Sequence, residues 1–522
     1  TFMLNILSCL KRHHLVLAVL MLALVVRVIA LVHSSVINDD GPLYIHQARA
    51  LLNGDWHSAS ACGFPYLSIY PFLIIPFFSL TGDWILSAQA ICLVFGFLTL
   101  VPIYLINRYF FDEKVSAAAT FVFAVNPVLV ELSVDVTKDM VGWFFALWGM
   151  YFFIQSQKKP YYPSLSSIFF VLAMLARIEI ALFILASYLY LFVFQKEQKL
   201  RLIFYFSLPL VLLASFAVFG FFIFKGADVN LFSGYLYPKI RIYLDAFRNY
   251  EFINSGLKRL INSEALMSYD YKFIPLFLRQ VRESLWLIPV LVILKKTMQA
   301  FFMPFFLLTL IGMGNLKDNI RNKPHYAYFS LLSLLSFLML YSFYLLVWAI
   351  SKRYTMIFLF TALPFTGYGI VRIYSWFAKS AVRKTFGILL VVLLCGITLF
   401  KGVAPTRQDK LVLKEIGQYI AALEGQNEEI SVAVSQGIVL FYVNLKNKNA
   451  SCPRPIVSYS DFITMDGQQI KDKMKEHGIT YFLWEEEAWK KAPPFRKTDG
   501  WEPVKTWESK EMGRYRLYRL HI

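Results

Sequence analysis

Charge is scarce in this chain, and acidic charge is the scarcer kind. Asp, Glu, Lys and Arg make up 16% of 522 residues, with 34 acidic side chains against 52 basic ones. With 57% hydrophobic and 17% aromatic residues, so little charge cannot cover a water-facing surface, which excludes an ordinary soluble globular fold. Cysteine is also sparse: five residues with no CxxC pair offer neither a zinc motif nor a redox motif. No glycine-rich phosphate loop is present, so a soluble nucleotide has no cradle. Internal repeats and low-complexity linkers are missing as well. The formal net charge of +18 invites a nucleic-acid reading. The basic residues nevertheless fall in short clusters between apolar runs, without forming a stripe or tail, and this argues against nucleic acid.

What remains is a polytopic membrane protein, mainly α, whose Lys and Arg clusters mark one side of the bilayer and suit anionic membrane lipids. The segment Lys11-Arg12-His13-His14 before the first apolar run looks like the start of a signal peptide. The run is too long for one and has no small-residue cleavage site, so a retained first span is expected. Hydropathy and loop charge then predict about 11 transmembrane helices. The first runs near 15–37, the second 84–107, the third 115–130 and the fourth 140–155. Between 163 and 194 the charged break Arg177-Ile178-Glu179 divides the stretch into two short spans. The rest lie near 202–224, within 285–313, and at 326–350, 355–374 and 386–400. The eighth ends at the basic cluster Lys317, Arg321 and Lys323. The amino terminus is then cytoplasmic and the carboxyl terminus extracytoplasmic, with wet extracytoplasmic loops at 38–83 and 225–283 that carry amphipathic helices.

The expected domains are therefore a membrane domain over 1–400 and a small extracytoplasmic α/β domain over 401–522. In the latter, Ile430–Val434, Val439–Val443, Ile479–Trp484 and Tyr515–Leu520 read as strands, and Gly467–His477 as a helix with Ile470 and Met474 on one side. Cys9, Cys92 and Cys395 lie in or beside apolar runs and read as packing residues. Cys62 and Cys452 fall on one side of the membrane, which allows a disulfide.

The chemistry-bearing residues gather in the extracytoplasmic loops. Asn38-Asp39-Asp40-Gly41-Pro42 opens a short helix with Pro42 at its first position, which leaves Gly41 as cap and Asp40 just outside; the helix has an apolar face of Leu43, Ala48, Leu51 and Leu52, and a stop at Asn53-Gly54. Asp39 or Asp40 could simply cap that helix; local sequence gives this the same weight as chemistry. Glu131, Asp135, Lys138 and Asp139 lie in the second loop, with Glu131 and Asp135 read as solvated turn residues. Lys352-Arg353 follows the ninth span and reads equally as an interfacial anchor. Arg27 sits mid-span, where a cation is costly and points to a paired or functional role. Arg177 and Glu179 read as partners of each other or of Arg27. The spacing of His33, His46 and His57 matches no metal-ligand pattern. Carboxylates opposite fixed cations at a membrane face suit a reaction in which an acceptor is deprotonated while a lipid-linked phosphate departs.

These residues, in this order, resemble the GT-C superfamily of polyprenyl-phosphate-sugar glycosyltransferases, in particular the group of protein O-mannosyltransferases and the lipid A aminoarabinose transferase. Asp40, four residues before Tyr44 and followed by Ala48, Leu51-Leu52 and Gly54, is similar to that group's first-loop acidic motif, although Asp39-Asp40 replaces the usual Asp-Glu. Pro65-Tyr66 through Tyr70-Pro71 resembles the run entering the second span. Asn126-Pro127 with Thr137-Lys138-Asp139 resembles the second acidic loop, Ala176-Arg177-Ile178-Glu179 the Arg-x-Glu break, and Arg353-Tyr354 the Arg-Tyr element of the donor-phosphate region.

The resemblance implies an inverting glycosyltransferase at the extracytoplasmic face, using a polyprenyl-phosphate or diphosphate sugar donor and a glycan, lipid or protein acceptor. Asp40 is favoured as general base, with Asp39 as its alternate and Asp139 as a second acidic group. Arg353, Lys352 and Arg27 are expected at the donor phosphate, and Tyr44, Tyr66, Tyr70 and Lys138 along a substrate groove, with Tyr66 and Tyr70 reading equally as part of an interfacial aromatic belt. Arg177 and Glu179 are expected as structural or coupled charges. The chemistry needs no cofactor, and nothing in the sequence supports a divalent metal. Two other classes stay open: a transporter or flippase of lipid-linked glycans, and a non-catalytic envelope assembly protein working through its carboxyl-terminal domain.

Overall fold

The structure, a computed structural model, describes residues 14–62, 67–223, 236–263, 273–314, 325–424, 430–447, 451–453, 465–486 and 500–520. Pro65, Tyr66, Lys317, Arg321 and Lys323 lie outside the described residues. The architecture is mainly helical, with a small mixed sheet near the carboxyl terminus.

Five described helices are long and apolar enough to cross a bilayer: His14–Val32 (α1), Trp84–Phe110, Tyr326–Val347, Lys352–Phe377 and the run beginning at Ala381. Two further apolar stretches are bent helix pairs, each a broken span or a re-entrant loop. The first, expected as one span, is α2 (Glu113–Val125) with α3 (Pro127–Val134), bent by 57°. Proline cannot continue a helix without losing a hydrogen bond, and Asn126-Pro127 supplies the break. Shorter apolar helices include α4 (Asp139–Ile154), α5 (Tyr162–Ala176) and Ile178–Val193. The last two meet at Arg177-Ile178-Glu179, where a helix break was expected.

The second bent pair is α6 (Leu287–Phe301) and α7 (Met303–Met313), which turns by 102°. The expected eighth span is therefore not one straight helix: α7, with 11 residues, reaches only about 16 Å at 1.5 Å per residue. The turning residue Phe302 has φ of 63°, a conformation that costs a side-chain-bearing residue energy and recurs at functional sites.

The chain forms two compact units. One comprises Thr1–Val26, Phe95–Val130 and Asp139–Gly402. Its packing centres on α8 (Met356–Phe377), which lies so close to α7 that a Cβ at Gly312 would stand 1.9 Å from the Phe365 carbonyl oxygen, and one at Gly369 2.0 Å from that of Leu308. Small residues let helix backbones approach in this way in apolar surroundings. The chain break just before α8 is thereby fixed, and it carries Lys352 and Arg353 in a 3-10 turn, Lys352–Thr355.

The other unit comprises Arg27–Val94, Glu131–Lys138 and Val403–Ile522. Its four-stranded sheet has the order β1-β2-β4-β3, with β1 (Val432–Ala433), β2 (Tyr481–Glu485), β3 (Trp501–Ser509) and β4 (Gly513–Leu520). β1 and β2 are parallel, and the other pairings are antiparallel. Gly467–Glu476 is the expected helix: Asp466 opens it with a capping box, and Ile470 and Met474 are fully buried against Phe482, Trp484 and Trp501. The expected strand Val439–Val443 is instead part of a helix, Gly437–Val443, with nearly every side chain buried. A short all-apolar run buried on every side has no period to read, so pattern alone cannot separate the two structures.

Candidate active site

In the second unit the acidic loop leads into the helix Gly41–Leu52, whose carboxyl cap is Asn53 as expected. Asp40 occupies the cap position, yet its side chain makes no capping hydrogen bond. Asn38 does that work: its Oδ1 accepts the Gly41 N–H at 2.6 Å, while its Nδ2 donates to the Val136 carbonyl at 2.9 Å. The helix start is thus secured without the Asp40 carboxyl, which stays half-buried beside it.

Asp39 is committed to an ion pair, with Lys410 Nζ 2.7 and 2.6 Å from its two oxygens. Tyr44 and Tyr70, expected along a substrate groove, are buried at 2% and 0% exposure and meet edge to face, with ring centroids 5.3 Å apart. Tyr70 Oη donates to the Ala88 carbonyl at 2.8 Å. Tyr44, on the acidic helix itself, thus rests its ring against Tyr70, which braces that helix. Asp135 is not the solvated turn residue expected from sequence: it is 4% exposed and receives both ends of the Arg407 guanidinium at 3.1 and 2.5 Å. Glu131 lies 3.7 Å from the same guanidinium. Burial pulls the Arg407 pKa down, and the Asp135 and Glu131 carboxylates more than offset this, leaving it raised.

Arg27 is fully buried, with Nε donating to Ser133 Oγ at 3.2 Å. Lys138 is half-buried. His46 bonds Ser58 Oγ at 2.9 Å, and His33 Nδ1 lies 2.7 Å from the Val403 carbonyl oxygen.

In the first unit three separated motifs come together. Asp139, in the first turn of α4, is bonded by Arg177 Nη1, and both are buried, at 3% and 5% exposure. Glu179 Oε2 lies 3.6 Å from Arg177 Nε. The Arg177 guanidinium also stands 5.6 Å from the Trp143 ring and 5.4 Å from the Tyr354 ring. The Tyr354 ring has the Arg353 guanidinium at 5.4 Å as well. Arg177 thus has Asp139 as its main partner, where sequence pointed to Glu179 or Arg27. Gly142 makes room for it: a Cβ there would stand 3.1 Å from Arg177 Cγ.

Next to this cluster in sequence, Lys352 borders a groove of about 660 Å³ in the same unit. Its walls include Leu291, Met298 and the turning residue Phe302, and two further cations, Lys295 and Lys401, lie along it. Lys401 Nζ is 5.3 Å from the Phe302 ring. The bend itself hangs on Asn126, whose Nδ2 donates to the Ala300 and Phe301 carbonyls at 3.1 and 3.0 Å. Its Oδ1 accepts the Val128 and Leu129 N–H groups at 2.9 and 3.2 Å. One amide therefore satisfies the exposed ends of two broken helices. Apolar walls with several cations suit an amphiphile bearing an anionic head.

The fold is that of the GT-C class of membrane glycosyltransferases. ArnT from Cupriavidus metallidurans is similar over 97% of each chain with a TM-score of 0.57 at 13% identity, in its apo form, and with a TM-score of 0.56 in a structure bound to undecaprenyl phosphate. The oligosaccharyltransferase AglB from Archaeoglobus fulgidus, solved with an inhibitory peptide and a dolichol-phosphate, is similar over 92% of this chain and 70% of its own, with a TM-score of 0.51 at 12% identity. Residues 68–222 match the dolichyl-phosphate-mannose-protein mannosyltransferase family model. No curated protein sequence matches the chain significantly.

Proposed function

We propose that this protein is a multi-pass membrane glycosyltransferase that takes a sugar from a polyprenyl-phosphate carrier and delivers it to an acceptor at the extracytoplasmic face, with the amino terminus cytoplasmic. Asp40 removes the proton of the acceptor hydroxyl or amine. The acceptor atom forms a bond to the anomeric carbon as the carbon–oxygen bond to phosphate breaks, and the phosphate leaves with the electron pair. Direct displacement inverts the anomeric centre. Arg353 and Lys352 balance the charge growing on the phosphate. Asp139, buried beside Arg177, acts by holding that guanidinium next to Tyr354 and Arg353, without touching the acceptor. Arg27 bears on the site only through the packing of its span.

The observation that carries this reading is that Arg177, held by Asp139 and Glu179, shares the Tyr354 ring with Arg353. The groove bordered by Lys352 adds the complementary feature, a cationic edge on an apolar wall, which fits an isoprenoid chain with a phosphate head. The reaction as written needs no metal.

The test uses purified full-length protein in lipid nanodiscs. It is given the radiolabelled lipid-linked sugar pool extracted from cells that make it, with a membrane extract as acceptor. Label leaves the lipid fraction with wild-type protein and stays there with Asp40→Asn, while that variant still binds undecaprenyl phosphate. Near-normal turnover by Asp40→Asn rejects the assignment of the base. A wild-type protein that moves label across the bilayer without transferring it would favour a flippase.

A further inference from the structure

The second unit holds an arrangement that the reaction scheme above does not use. Two cations of the segment following the last membrane helix reach three carboxylates that lie far earlier in the chain. Lys410 contacts both oxygens of Asp39 at 2.7 and 2.6 Å across 371 residues of sequence. Arg407 forks onto Asp135 and stands 3.7 Å from Glu131. Arg407 does so from a left-handed backbone conformation, φ 55° and ψ 37°, which a residue with a side chain adopts only when its surroundings enforce it. Asp135, with Arg407, is nearly buried, so this is a desolvated, bidentate contact of the kind that fixes geometry.

The same carboxyl-terminal part grips the acidic loop along its whole length. Lys414 Nζ donates to the Ser35 carbonyl at 2.8 Å, and the Ile37 N–H donates to Tyr442 Oη at 3.3 Å. Arg49 donates to the Asn444 and Leu445 carbonyls at 3.4 and 2.5 Å. Cys62 is joined to Cys452 by a disulfide. These contacts and the disulfide hold the chain on either side of Asp39-Asp40. The two ion pairs act between these points, holding Asp39, the residue directly before Asp40, and Asp135.

We infer that Lys410 and Arg407 are positioning residues for the transfer. They neutralise Asp39 and Asp135 and so fix the charge and orientation of the loop that carries Asp40, which makes the carboxyl-terminal domain a built-in partner of the base. This rests on the transferase reading, and the experiment separates the two. Full-length protein in nanodiscs is assayed with the labelled lipid-linked sugar pool, and turnover, the pool concentration for half-saturation, and thermal stability are read together. Loss of transfer in Asp40→Asn upholds the transferase reading by itself.

Lys410→Met is then expected to lower turnover about tenfold, with half-saturation changed less than about threefold. Its melting temperature should stay within a few degrees of wild type. Lys410→Arg is expected to keep most of the turnover, and the exchanged pair Asp39→Lys with Lys410→Asp to recover it. Unchanged turnover in Lys410→Met overturns the inference while leaving Asp40 in place. Loss of turnover in step with a large fall in melting temperature, with no recovery in the exchanged pair, overturns it too, because the cations would then serve folding alone. Wild-type protein that transfers no label removes both readings at once.

Discussion

Replacing Arg177 with Met removes the guanidinium from a pocket in which Asp139 is 3% exposed and Glu179 stands 3.6 Å away. Breaking a buried ion pair from one side costs about 3–5 kcal/mol, because a charge stays behind without its partner in a medium that cannot solvate it. Asp139→Asn should cost less, about 2–3 kcal/mol, since the guanidinium keeps Glu179 and two aromatic faces and hydrogen bonds to charged groups are worth about that much. The double variant Asp139→Asn with Arg177→Met should recover most of the loss, because exchanging a whole buried pair for neutral groups is often close to neutral. The single losses sum to about 5–8 kcal/mol, so with the double variant within about 1–2 kcal/mol of wild type the coupling between the two sites is about 5 kcal/mol, roughly three to four decades in an equilibrium constant. Thermal unfolding of the four proteins in nanodiscs, followed by tryptophan fluorescence, measures the order: wild type, then the double variant, then Asp139→Asn, then Arg177→Met. Additive losses, or an Arg177→Met protein as stable as wild type, would refute the claim that this pair organises the first unit's site.

Three further outcomes are expected. Gly142→Ala places a methyl 3.1 Å from Arg177 Cγ and should lower transfer severalfold with little change in melting temperature, a shift of a few tenths of an ångström being enough to turn the guanidinium. Asn126→Ala strips four hydrogen bonds from two broken helix ends and should destabilise by about 2 kcal/mol or more; proteolysis at the α6–α7 bend detects it. Glu485 is 5% exposed, and burial raises its pKa, against hydrogen bonds from Ser435 and Gln436. A carboxyl with a raised folded pKa contributes stability below its unfolded pKa and loses it as pH rises through the folded value. Glu485→Gln should therefore gain stability relative to wild type on going from pH 4 to pH 7, as melting curves at both pH values will show.

Local signals carried well from sequence to structure. Pro42 and Asn53-Gly54 bound the acidic helix because their backbone preferences act within one turn, and the four-residue spacing of Ile470 and Met474 marks a buried helix face. The break at Arg177-Ile178-Glu179 was legible because charge interrupts an otherwise apolar run. The partners of these residues were not legible. Lys410 and Arg407 lie in a stretch of ordinary polar composition, and only the fold brings them to Asp39 and Asp135. Arg177 has Glu179 two residues away, which hid Asp139. Strand β3 was missed because Glu502, Pro503, Lys505 and Glu508 interrupt it and much of it is exposed, and the two bent pairs read as single spans because hydropathy has no direction.

The Cys62–Cys452 disulfide spans 390 positions, and this sets a timetable for biogenesis. At about 5–20 residues per second of synthesis, the earlier thiol waits roughly 20–80 s for its partner to emerge. During that interval most of the membrane helices are made and inserted while the thiol must escape premature pairing. An oxidase that acts late, on nearly complete chains, would favour the native crosslink, whereas one that acts on nascent chains would trap Cys62 with the wrong companion.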